Sequence, residues 1–503
     1  MNDAGEGTVV SGIEGLDDIL RGGFPQNCLF LVAGPPGAGK TTLAMQFLLE
    51  GSRRGERCLY VTLSETQREI EKVARSHGWD VSRIDMTELV PSERSLAADA
   101  QLTVFNPSEM ELGETTKAMI EAVQKHRPQR LVIDSLSELR LIAQNPLRYR
   151  RQVLALKQFF GGHNCTVLML DDRTGGPEDD HLQSIAHGVV ILEQLVNQYG
   201  AERRRLRVSK MRGVAFRGGF HDFAIRRGGL DVYPRLIAAE HLGEFVDRDL
   251  PSGNTQLDGL LGGGLPTGTS TLLLGPAGTG KSTVATQFAT ASAARGERAA
   301  LFVFDENIGT FRSRSRKLGL AVEESLKNGL MTVQQVDPAE LSSGEFAAIV
   351  RRAAEGRDAS GKKARMIIVD SLNGYLNAMP EEKFLTAQLH ELLSYLGQQG
   401  VVTILTVTQT GMVGHMASPV DTTYLADNVI LFRYFEAGGS VRRAISIVKK
   451  RNGQHERTIR ELDMNESGIV IGDPLTDFHG ILTGVPTYVG KSSPLDGTPR
   501  DAK

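Results

Sequence analysis

Gly34-Pro35-Pro36-Gly37-Ala38-Gly39-Lys40-Thr41 and Gly275-Pro276-Ala277-Gly278-Thr279-Gly280-Lys281-Ser282 both satisfy the pattern G-x-x-x-x-G-K-[ST]. Residues of these types at this spacing bind a nucleoside triphosphate. The glycines let backbone N–H groups curl around phosphate oxygens, the lysine reaches the outer phosphates, and the hydroxyl ligates Mg²⁺. The expected phosphate-binding residues are Gly37, Ala38, Gly39, Lys40, Thr41 and Thr42 in one half, and Gly278, Thr279, Gly280, Lys281, Ser282 and Thr283 in the other. Each loop follows an apolar strand-like run (29–33 and 271–274) and opens a helix-like run (42–49 and 283–291), the context the motif requires.

Further along each half, Leu131-Val132-Ile133-Asp134-Ser135 and Ile367-Ile368-Val369-Asp370-Ser371 are apolar strands ending in an acid able to hold the metal through water. Thr41 with Asp134, and Ser282 with Asp370, are therefore the expected Mg²⁺ residues. Hydrolysis also needs a group that aims or deprotonates water. Glu65, after Tyr60-Val61-Thr62-Leu63-Ser64, and Asp305-Glu306, after Leu301-Phe302-Val303-Phe304, stand where that group belongs. Thr66-Gln67-Arg68-Glu69 reads as a capping box that starts a helix directly after Glu65. That places the carboxylate at the carboxyl end of a strand, the edge at which open α/β sheets bind ligands. The competing role, electrostatic capping of a helix N-terminus, stays open for Asp305.

The elements that must position these groups occur twice. Gly34 and Gly275 are 241 residues apart, and the same offset relates Ser11-Gly12 to Ser252-Gly253, Leu16-Asp17 to Leu257-Asp258, Gly22-Gly23 to Gly263-Gly264, and Pro25 to Pro266. A whole-domain duplication accounts for this. Strand-like and helix-like runs alternate in each half, which predicts an α/β fold with a mostly parallel sheet flanked by helices. Short runs at 203–208, 219–226 and 230–233, separated by Arg-Gly and Gly-Gly turns, predict an antiparallel extension at one edge. The expected domains are 1–240 and 241–490, with 236–249 as a short connector and 491–503 as a flexible, Ser-, Gly- and Pro-containing tail.

Composition sets limits on function. The 503 residues carry 57 basic and 60 acidic side chains, a net charge of −3, which disfavours a protein whose main task is to coat nucleic acid. The three cysteines, Cys28, Cys58 and Cys165, lie in apolar surroundings without metal-ligand spacing and read as reduced core thiols. No apolar run reaches the ~20 residues needed to span a bilayer, and the acidic, glycine-rich N-terminus is unlike a secretion signal. A cytoplasmic location is the expectation.

On these motifs, and on Lys210-Met211-Arg212-Gly213, Lys449-Lys450-Arg451 and the ending Ile481-Leu482-Thr483-Gly484-Val485-Pro486-Thr487, the chain resembles the KaiC family of clock ATPases and autokinases in the RecA superfamily. The resemblance covers nearly the whole chain. It implies two tandem RecA-like P-loop domains, a homohexamer of two stacked rings, and ATP held with Mg²⁺ at subunit interfaces in both. Lys210, Arg212, Lys449 and Arg451 would then touch the γ-phosphate bound to a neighbouring subunit. A KaiB-like or other signalling protein is the implied partner. The family's kinase reaction falls on a segment that corresponds here to residues 418–427, which makes Thr422 and Thr423 the candidate autophosphorylation sites. Ser64-Glu65 stands where clock proteins have paired glutamates, and the short tail leaves little room for a long partner-binding extension. Three readings follow: a hexameric ATPase switch with slow hydrolysis in the first domain and autokinase activity or regulatory ATP binding in the second, a nucleotide-gated scaffold, and a RecA-like nucleic-acid-dependent ATPase.

Overall fold

The computed structural model describes residues 7–89, 107–172, 180–196, 200–377, 385–409, 425–482 and 486–490. It divides into two compact units, Met1–Arg235 and Leu236–Lys503. The first is built on nine strands: β1 (Leu29–Gly34), β2 (Cys58–Thr62), β3 (Asp85–Glu88), β4 (Arg130–Asp134), β5 (Thr166–Asp172), β6 (Gly188–Leu195), β7 (Arg203–Met211), β8 (His221–Arg226) and β9 (Gly229–Tyr233). Their order across the sheet is β9-β8-β7-β6-β1-β5-β4-β2-β3. The six from β6 to β3 are parallel, and β7, β8 and β9 continue the edge antiparallel.

β1 is apolar and buried along its whole length because both of its faces are covered. Phe30 and Val32 share a core with Leu43 and Phe47 of the helix Lys40–Arg53. Leu29 and Leu31, on the other face, share a second core with Val153 and Leu156 of the helix Pro146–Gly161. The strand is thus locked in the middle of three layers, and the loop that follows it emerges at a defined point.

The second unit repeats the plan with β10 (Ser270–Gly275), β11 (Arg298–Val303), β12 (Met331–Gln335), β13 (Ala364–Asp370), β14 (Val402–Thr408), β15 (Asn428–Ala437), β16 (Ser440–Lys450), β17 (Arg460–Asn465) and β18 (Gly468–Pro474). The order is β12-β11-β13-β14-β10-β15-β16-β17-β18, again with six parallel strands and three antiparallel ones. Two mostly parallel sheets with antiparallel edges are the fold class expected from the sequence. The outer strands β3 and β12 escaped that reading. Asp85-Met86-Thr87-Glu88 at the sheet edge is at most half-buried, so it lacks the apolar run that marks the inner strands.

The chain joins the second unit at Leu236. Ala238 sits in that unit's core, its N–H donates to Glu391 at 3.0 Å, and the His241 ring meets Tyr395 edge-on. The tail expected at 491–503 lies outside the described residues. Among the described residues no helix is long and apolar enough to cross a membrane. Burial pushes the Cys58 and Cys165 thiols up to about 12, as for inert core groups.

The lead-in shared by the two halves has a structural task. Asp17 accepts from the Ser11 N–H at 2.7 Å, and Asp258 accepts from the Ser252 N–H at 2.6 Å, closing the same turn in each unit. The second glycine of each pair lies under a short ribbon: Gly23 (φ 123°) against Val9, and Gly264 (φ 143°) against Leu250. A Cβ would stand 2.4 Å from the carbonyl oxygen in either place. Gly23→Ala and Gly264→Ala should each cost about 1–3 kcal/mol and lower the melting midpoint of their own unit. Gly113→Ala, in a helix with open space around it, should instead stabilise by roughly 0.5–1 kcal/mol. Scanning calorimetry of the three variants checks this.

Candidate functional site

Both loops turn into their helices through left-handed glycines, Gly37 (φ 79°) and Gly39 (φ 98°) in one unit, Gly278 (φ 78°) and Gly280 (φ 103°) in the other. Gly39 and Gly280 are the N-caps of Lys40–Arg53 and Lys281–Ala294, so the free N–H groups of each helix start open beside the loop. Ala38 and Thr279 are buried beneath it, and the Thr279 hydroxyl donates to Pro276 O at 2.8 Å. Thr42 and Thr283 are buried one residue beyond the metal-type hydroxyls.

The two lysines fold back onto their own loops. Lys40 Nζ donates to Gly34 O and Pro35 O, both at 3.0 Å, and Lys281 Nζ donates to Gly275 O at 2.8 Å and Pro276 O at 2.7 Å. They differ in their counter-charge. Lys40 also pairs with Asp172 Oδ1 at 2.6 Å, whereas the residue aligned beside Gly275, as Asp172 is beside Gly34, is Thr408. Among the described residues Lys281 makes no ion pair. Burial pushes its ammonium down to about 8, and the charge of Asp370 only partly opposes this.

The acids at the strand ends also diverge. Asp134 Oδ2 accepts from Thr41 Oγ1 at 3.1 Å and from the Tyr60 hydroxyl at 2.5 Å. Burial raises the Asp134 carboxyl, with those two donors pulling against it. In the second unit Asp370 accepts instead from Thr406 Oγ1 on β14, while β11 carries Leu301 where β2 carries Tyr60. Each acid is joined to the next serine, Ser135 or Ser371, by a cis peptide bond.

Glu65 sits at the end of β2, held by Thr62 Oγ1, which donates to Glu65 O at 2.7 Å and accepts from its N–H at 3.0 Å. The capping box behind it is present: Thr66 Oγ1 accepts from Glu69 N–H, and Glu69 accepts from Thr66 N–H. Glu65 Oε2 is buried without a hydrogen-bond partner. Burial first, and then the charges of Asp134, Glu69 and Asp172, lift its carboxyl above the usual range. Asp305 is exposed and accepts from Ser371 Oγ, while Glu306 is half-buried and ion-paired to Arg314 at 2.8 Å.

Thr41 with Asp134 and Ser282 with Asp370 offer a hydroxyl and a carboxylate, the hard oxygen donors that suit Mg²⁺. No cluster of three His, Cys, Asp or Glu able to hold a metal occurs among the described residues. A metal held there would draw its other ligands from phosphate oxygens and water, as Mg²⁺ usually does.

Lys210 and Arg212 lie apart from the loop of their own unit. Met211 is paired with Gly188, which neighbours Phe30 near the start of β1, while the loop begins at its far end. Lys210 Nζ donates to Gln183 O, Ser184 O and Ala186 O, and Arg212 donates to Ser184 O at 3.1 Å. Lys449 and Arg451 occupy the matching end of the second sheet. Lys449 donates to Ala426 O at 2.7 Å and Arg451 pairs with Asp427 at 2.9 Å. Thr422 and Thr423 lie outside the described residues. Asp172, Tyr60, Thr406 and Arg314 escaped sequence reading because no motif spacing marks them. Tyr434, whose hydroxyl donates to Ala277 O at 3.1 Å in the second loop, did so too.

A family profile described as "ATPase: KaiC" matches this chain twice, over residues 9–237 and 250–476. Among curated proteins, the chain is 28% identical over 502 residues to "Circadian clock protein KaiC3" of Synechocystis sp., covering 96% of this chain and 95% of that protein. It is also 28% identical over 485 residues to "Circadian clock oscillator protein KaiC" of Synechococcus elongatus, covering 95% and 91%. With each P-loop unit matched almost from end to end, the chain belongs to the KaiC family of RecA-like ATPases.

Proposed function

We propose that this protein is a homohexameric Mg²⁺-ATPase switch of two stacked rings, in which the first site turns ATP over and the second holds ATP for slow hydrolysis or serine/threonine autophosphorylation. The observation that carries this reading is Glu65. Its buried oxygen has no hydrogen-bond partner, and the carboxylate lies in the field of Asp134 and Asp172 at the edge where the phosphate loop opens. A carboxylate of raised basicity suits the removal of a proton from attacking water. Lys40 and the N–H groups of the loop would hold the phosphates, with Asp172 giving way to them. Mg²⁺, held through Thr41 and Asp134, would supply charge neutralisation at the outer phosphates.

In the second unit Lys281, Ser282 and Asp370 would bind ATP in the same way, with Asp305 and Glu306 as the carboxylates at the strand end and Glu306 ion-paired to Arg314. Because Lys210, Arg212, Lys449 and Arg451 lie at the sheet end opposite their own loop, they are suited to a neighbour's γ-phosphate rather than their own. That arrangement supports a ring in which each site is completed by an adjacent subunit. The curated relatives carry circadian-clock names, so a timing or signalling role, with a KaiB-like or similar partner, is the proposed setting. A nucleotide-gated scaffold is favoured as the second reading by the Glu306–Arg314 pair, which occupies one of the second-site acids.

Three outcomes are expected. Lys40→Ala and Lys281→Ala should each remove one bound nucleotide per chain and leave the other; loss of both from either change would refute independent sites. Counting nucleotide by chromatography after denaturation checks this.

Glu65→Gln should keep ATP bound and slow phosphate release by roughly 10² to 10⁴. It should not destabilise the fold. Since the folded Glu65 carboxyl ionises at higher pH than the unfolded one, stability falls as pH rises through that window, and the cost persists in full above it. Removing the charge should therefore leave the melting temperature at pH 7 unchanged or higher, a gain that vanishes below about pH 4. A lower melting temperature at pH 7 with release unaffected would return Glu65 to a capping role.

Finally, Lys281→Ala subunits mixed with Thr422→Ala/Thr423→Ala subunits should acquire phosphate on the Lys281→Ala chain only in mixed rings. Intact-mass analysis after incubation with Mg-ATP reads this directly. An unmodified wild-type chain with intact ATP turnover would leave an ATPase switch without the kinase reaction.

A further inference from the structure

Glu65 and Glu306 hold the same place in the repeat, 241 residues apart, yet their surroundings are opposite in charge. Arg314 donates from Nε to Glu306 Oε1 at 3.1 Å and from Nη2 to Oε2 at 2.8 Å, so both carboxylate oxygens are engaged. Its Nη1 reaches Thr283 Oγ1, on the helix that follows the phosphate loop, at 3.3 Å. The guanidinium also lies 5.5 Å from the ring centroid of Phe311, which is itself buried. The helix Ile308–Lys317, capped by Asn307 immediately after Glu306, brings Arg314 back over the strand end. In the first unit the equivalent helix, Gln67–His77, carries Val73 at this place, and Glu65 keeps a buried oxygen without a partner.

We infer that Arg314 is a positioning residue that withholds Glu306 from water, so that the second site retains its ATP while the first turns over. A base must present a free lone pair to the attacking water at hydrogen-bond distance. A bidentate guanidinium engages one lone pair on each oxygen and holds the carboxylate turned towards Arg314. The step that Arg314 suppresses is ordinary hydrolysis. The water oxygen bonds to the γ-phosphorus, the bond from phosphorus to the β–γ bridging oxygen breaks, and the water proton passes to Glu306, leaving ADP and inorganic phosphate. The contact to Thr283 places Arg314 at the nucleotide site and not on a remote face. This inference rests on the reading of the second loop as an ATP site.

The test uses the full chain carrying Lys40→Ala, which empties the first site, and follows phosphate release and bound ATP with Mg-ATP as the probe. Arg314→Met should accelerate release at least about tenfold with ATP still bound at the start. Adding Glu306→Gln should return it to the slow rate. Arg314→Lys, which keeps the cation but loses the two-point contact, should accelerate less. Unchanged or slower release from an occupied site would overturn the inference and make Arg314 a phosphate-supporting cation, and so would an acceleration that survives Glu306→Gln. An empty second site in the Lys40→Ala parent would refute the nucleotide site itself, and this inference with it.

Discussion

A lysine ammonium held almost out of water beside a bent loop is the constraint on which the rest of each unit depends. Lys40 is 7% exposed and Lys281 is 6% exposed, and each charge is met by carbonyls of its own loop. A buried cation is tolerated only where oxygen surrounds it, and a triphosphate is the ligand that completes such a site. The loop can bring its carbonyls to the lysine because glycines take left-handed backbone where it turns. The strand before it is clamped on both faces, so the ammonium, the open helix N-terminus and the acids at nearby strand ends lie along one edge of the sheet.

On this common frame the two sites have been supplied with different side chains. Lys40 has a carboxylate at 2.6 Å and Lys281 has none among the described residues. Asp134 is oriented by a phenol from one side, and Asp370 by a threonine from the other. Tyr434 bonds to the second loop where the first is approached by Gln194. These substitutions alter the charge and freedom of the reacting groups while the backbone stays the same. Duplication of a fold followed by divergence of the side chains around a repeated loop makes two sites of one chain differ in chemistry.

Some repeated residues serve the scaffold alone. Asp17 and Asp258 are each engaged by the N–H of a serine, closing the same turn in both units. The arginines of β7 are likewise used locally. Arg205 pairs with Glu193 and covers the Phe220 ring, and Arg204 pairs with Glu202.

From the sequence alone came the two phosphate loops, the acids Asp134 and Asp370 at strand ends, Glu65 behind its capping box, the duplication and the α/β class. All of these depend on neighbours within a few residues or on an exact internal repeat, and such relations are visible along a chain. Only the tertiary structure decided which acids are free and which are taken. Arg314 meets Glu306 across eight residues of chain, Tyr60 meets Asp134 across 74, and Asp172 meets Lys40 from the neighbouring strand. Such contacts are set by strand register and helix docking, which bring together groups with no fixed spacing in sequence.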